Sequence, residues 1–69
     1  MNTVNTEAIR KLRGLRIKQQ RTEKNLTLDE LSKLSGVDRK TIMRIEAAEL
    51  SWNVDSEILI LETLKNYNA

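Results

Sequence analysis

Between Thr27 and Glu46 the chain holds two short amphipathic segments, each with its own start signal, separated by a connector long enough only for a sharp turn. Thr27 stands three residues before Glu30. In that T-x-x-E spacing the threonine hydroxyl takes the backbone N–H of the third helical residue, and the glutamate reaches back to the threonine N–H. A helix from Leu28 to about Ser35 follows. Gly36 lets the backbone turn where a side chain would clash. Asp38 then predicts a cap for a second helix ending near Glu46, with Ile42 and Ile45 facing inward and Arg39, Lys40 and Arg44 on the rest of its surface. Helices this short are marginal alone, so both apolar stripes must be buried against the remaining chain.

The rest of the chain is helix-forming as well. It has no proline and two glycines, and is rich in Leu, Ile, Lys, Arg and Glu, which favours an all-α fold. Thr6 predicts the start of a helix running to about Lys24, with Glu7 and Lys24 placed to suit its dipole. Gly14 interrupts this span at a cost of about 1 kcal/mol relative to alanine, so the span reads either as one helix or as two. Asn25 is a plausible left-handed terminator. Asp55 or Ser56 opens a last helix ending near Asn66, while Met1 to Asn5 is polar and without periodicity. The expected architecture is a compact bundle of four to five helices, with residues 1–13 as a partly helical extension and 14–69 as one domain.

Chemistry is excluded more readily than assigned. With no cysteine and no histidine, a disulfide and a Cys/His metal site are both ruled out. Neither a Gly-rich phosphate loop nor a carboxylate pair beside a pocket is evident, so no enzyme, cofactor or small-molecule substrate is expected. No apolar run spans a bilayer and no secretory h-region is present, so the reading is a soluble, cytoplasmic, nucleoid-associated protein with no membrane partner. Charge is unevenly spread. Residues 1–26 carry seven Lys/Arg and two Asp/Glu, residues 27–46 four of each, and residues 47–69 one lysine and four acids. A basic amino half and an acidic tail would orient the molecule toward a polyanion; the plainer reading is a solvated basic helix.

From Gly14 to Glu46 the chain resembles the Cro/C1-type helix-turn-helix family. The matching residues are Gly14-Leu15-Arg16-Ile17-Lys18-Gln19-Gln20-Arg21, Asn25-Leu26-Thr27, Glu30-Leu31-Ser32, Gly36-Val37-Asp38 and Ile42-Met43-Arg44-Ile45-Glu46. The resemblance implies a lambda-repressor-like fold with Ile17, Leu26, Leu31, Val37, Ile42 and Ile45 as its core. It also implies a structural pair, Arg21 with Glu46; two unrelated surface charges is the alternative. There are departures. Leu28 replaces a glutamine that braces the recognition helix on DNA, Gln20 takes an aliphatic site, and Ala47-Ala48-Glu49 offers the backbone no cation. Leu34 takes a commonly polar place, which predicts packing against Leu12 or Leu15.

Function follows as an expectation. Sequence-specific binding of double-stranded DNA by a small transcriptional regulator would place the second short helix in the major groove. Arg39, Lys40, Thr41, Met43 and Arg44 are the base-reading candidates, because arginine's fork matches guanine O6 and N7. Thr27, Lys18 and Lys33 are the phosphate candidates. One module binds weakly, which points to a homodimer on two half-sites. Ile58, Ile60, Leu61, Leu64 and Tyr67, with Val54, make the last helix a candidate interface; otherwise that wide face covers the core together with Trp52. The competing function is a protein-interaction module (antirepressor, antitoxin or dimerisation unit) on the same fold.

Overall fold

The computed structural model describes residues 6–49 and 53–67. Four helices account for all regular structure among them: α1 Thr6–Glu23, α2 Leu28–Ser35, α3 Arg39–Glu46 and α4 Val54–Asn66. Gly14 does not divide α1, which is continuous over 18 residues. Met1 to Asn5, the polar start without periodicity, and Trp52, expected as a cover for the core, lie outside the described residues.

Each short helix begins where local chemistry dictates. Glu30 N donates to Thr27 Oγ1 at 3.1 Å and Thr27 N donates to the Glu30 carboxylate at 2.8 Å, a complete capping box. Asp38 accepts from Lys40 N at 3.0 Å to start α3. Asn53 accepts from Asp55 N at 2.8 Å, so α4 begins at Val54, slightly earlier than the Asp55 or Ser56 expected.

The ends are equally specified. After α1, Leu26 N donates to Arg21 O and Asn25 N to Thr22 O, with Asn25 at φ 57°. After α3, Glu49 N donates to Arg44 O and Ala48 N to Ile45 O, with Ala48 at φ 61°. Both are Schellman endings, whose left-handed residue is most often glycine. Gly36 fills that role after α2, at φ 76°.

The core unites all four helices: Ile17, Leu26, Leu31, Val37, Ile42 and Ile45 are joined by Ile60 and Leu64. Two expectations change here. Ile60 and Leu64 are fully buried within the chain, and Leu61 and Tyr67 pack partly against the same core, so these four close the monomer's own thin interior. Of the residues assigned to a dimer face, Ile58 and Val54 remain open, beside Leu59. Leu34 is exposed, as are Leu12 and Leu15, and it borders a shallow hollow with Leu26, Glu30, Lys33 and Tyr67 instead of packing on α1.

Gly14 is a packing device rather than a weak point. A Cβ there would lie 2.3 Å from Ile45 O and 3.0 Å from Glu46 O, so only glycine permits α1 to approach the backbone of α3 this closely.

Candidate nucleic-acid interface

The site is built from α3 outward. Ile42 and Ile45 are locked in the core at 0% exposure, which fixes the rotation of the helix. Arg39, Lys40, Met43 and Arg44 are consequently turned to solvent, while Thr41 is half-buried at the edge. Arg39 Nε lies 3.3 Å from Asp29 Oδ1 on α2, and both side chains stay largely exposed. In such an exposed pair the attraction is screened and worth little.

Two shallow hollows meet along this helix. One, of about 270 Å³, is lined by Lys18, Arg21, Leu28, Met43, Glu46 and Ala47. The other, of about 260 Å³, is lined by Lys40, Met43, Arg44, Ala47 and Glu49. Met43 and Ala47 border both, so Lys18, Lys40 and Arg44 lie along one continuous strip. Lys33 is not part of it; it borders the hollow near Leu34 and Tyr67. Thr27 spends its hydroxyl on the cap of α2, which leaves other amides of that first turn free to meet an anion. Leu28 is half-buried at the floor of the first hollow, where it offers apolar surface and no hydrogen bond.

Two ion pairs hold this frame. Arg21 Nε donates to Glu46 Oε2 at 2.7 Å and Nη2 to Oε1 at 3.0 Å, while Nη1 donates to Leu26 O at 2.9 Å. The side chains retain only 12% and 9% exposure. Its hydrogen bond to the Glu46 carboxylate holds the Arg21 guanidinium above its ordinary pKa, overcoming the opposite effect of burial. A single guanidinium thereby joins α1, the turn before α2 and the end of α3.

The second pair was not foreseen from sequence. Arg13 Nε donates to Glu57 Oε2 at 2.7 Å and its Nη2 to Glu57 Oε1, tying α1 to α4. Glu57 is the buried charged residue among the described residues, at 2% exposure. A sequence signal for it existed: Glu57, Ile60 and Leu64 follow helical spacing, which sets a carboxylate on the inward stripe of α4.

A capped two-helix unit with an apolar inside and a cationic outside coincides with the match of the helix-turn-helix family profile to residues 17–55. The chain belongs to the helix-turn-helix family. That membership supports a DNA-binding regulator, and the family is typically non-enzymatic. No curated protein and no solved structure matches the chain. Among the described residues of this helix-turn-helix protein no helix is long and apolar enough to cross a membrane, and no group of His, Cys, Asp or Glu is arranged to hold a metal ion.

Proposed function

We propose that this chain is a Cro/C1-type regulator of the repressor or controller kind, binding double-stranded DNA sequence-specifically as a homodimer through a domain spanning residues 14–69. The observation that carries the reading is the orientation of α3. Its isoleucines are sealed in the core while Arg39, Lys40 and Arg44 share its open surface.

In this reading the amino-terminal turn of α3 enters the major groove. Arg39 and Arg44 read guanine through bidentate contacts, each worth about 1–3 kcal/mol of discrimination. Lys40 holds a second acceptor or a phosphate, and Met43 and Thr41 supply apolar contact at thymine methyls. Lys18 and the first amides of α2, beside Thr27, grip the flanking phosphate backbone; Lys33 contributes only at long range. Leu28 cannot reproduce a polar brace to phosphate, and Glu49 on the same strip disfavours DNA. Affinity therefore depends heavily on α3 itself and on pairing two modules.

Selection from a random duplex pool tests the reading. The expected product is a pair of guanine-containing half-sites about one helical turn apart, near 10 base pairs. A pool that returns no enriched sequence would leave the protein-interaction reading in its place.

A further inference from the structure

The amino half of α1 is helical without a core to rest on. Its only buried residues are Gly14 and Ile17, so Thr6 to Arg13, roughly two turns, contributes none. Arg13 ties those turns to α4, through Glu57. Yet Ile9, Leu12 and Leu15 stand 41%, 67% and 50% exposed. Ile9 and Leu12 share a hollow of about 220 Å³ with Arg13 and Arg16. On this side Arg16 falls between Ile9 and Leu12, at i+7 and i+4 from them, with Arg13 beside Ile9, so apolar and cationic side chains share one helix face.

The outer face of α4 has the complementary character. With Glu57, Ile60 and Leu64 turned inward, Asp55, Ile58, Leu59 and Glu62 are exposed together. This face is apolar at its edges and acidic along its middle.

We propose that the amino half of α1 docks on the outer face of α4 of a second copy of this chain. A two-fold axis makes the contact twice, α1 on the partner's α4 and the reverse. Complementary charge argues for this occupant: Arg16 meets the acidic ridge of Asp55 and Glu62, and Ile9 and Leu12 meet Ile58 and Leu59. Pairing α4 with α4 would instead bring the acids of two copies together. A two-fold arrangement also doubles the area a single helix contact buries, toward the roughly 800 Å² per partner of a stable interface. The inference rests on the two-copy reading above and specifies which surfaces meet.

Sedimentation equilibrium of the full chain without DNA tests it, using Arg16→Glu and Glu62→Arg. Both sites are exposed, and thermal melts by circular dichroism confirm that each variant folds. Each variant alone sets like charge against like charge in both contacts, so its dimer should weaken about tenfold or more. An equimolar mixture restores opposite charges in both contacts of the heterodimer and should dimerise about as well as wild type. Recovery on mixing establishes the α1-on-α4 contact. An Arg16→Glu chain that dimerises like wild type overturns the contact while leaving the two-copy reading intact. If that variant still dimerises but loses affinity for random duplex, the amino half of α1 meets DNA instead, and the inference also fails. A wild type that is monomeric both alone and on its selected duplex removes the inference and the two-copy reading together.

Discussion

The two ends of α1 are held by the same chemistry in different surroundings. At the carboxyl half, Arg21 and Glu46 are both nearly buried, Gly14 brings the backbones of α1 and α3 together, and Ile17 enters the core. At the amino half, Glu57 is buried but its partner Arg13 remains 49% exposed, and no residue from Thr6 to Arg13 is buried. An arginine with every nitrogen committed inside the fold cannot be replaced by water. One that is half in solvent can be, in part. The carboxyl half therefore sets the position of α3, and with it the proposed DNA-reading surface, whereas the amino half is joined to α4 and more exposed.

The largest expected effect breaks the first clamp. Glu46→Gln strands the Arg21 charge and should cost about 3–5 kcal/mol in urea unfolding, because it breaks a buried pair. A loss no larger than that of the Arg13–Glu57 clamp would remove the distinction. Gly14→Ala comes next. Its Cβ would collide with backbone at Ile45, and the overpacking penalty outweighs the gain of about 1 kcal/mol in helix propensity, for a net loss of about 2 kcal/mol. A Gly14→Ala variant that melts higher than wild type would mean α1 and α3 are not in close contact.

Arg13→Ala should be milder, about 1–2 kcal/mol by the same urea titration, since solvent reaches part of the vacated site and only a buried carboxylate is left short of a donor. A loss as large as that of Glu46→Gln would place the amino half on the same footing. The smallest effect is a gain. Ala48 ends α3 in the left-handed region, which a side chain resists. Ala48→Gly should raise stability by about 1 kcal/mol; a fall in melting temperature would show that the turn carries no strain.

Much of the fold was legible because it is local. Thr27 with Glu30, Asp38, Asn25 and Gly36 act within four residues of themselves, and helical spacing identified the six aliphatics that bring α1, α2 and α3 together. What escaped the sequence lies far apart along it. Gly14 looked like a defect because its reason is the backbone of residues 45 and 46. The Arg13–Glu57 pair spans 44 positions, and only the inward stripe of α4 hinted at it. The broad apolar face of α4 could cover either its own core or a partner. Burial decides most of it: Ile60 and Leu64 turn in, and Ile58 turns out. At the site, the composition of α3 was readable. That Met43 and Ala47 join two hollows into one strip with Lys18, and that Lys33 lies elsewhere, required the tertiary arrangement.

The most direct test of the central claim, that α3 reads DNA, is fluorescence anisotropy on a selected duplex and a random one across a salt series. Wild type is compared with the chain carrying both Arg39→Ala and Arg44→Ala. Wild type should prefer the selected duplex and lose affinity steeply with salt, as phosphate contacts release counterions. The double variant should keep its fold, lose the preference, and retain salt-sensitive binding to both duplexes. Equal preference in the two proteins, or no binding of either duplex by wild type at low salt, would contradict the account.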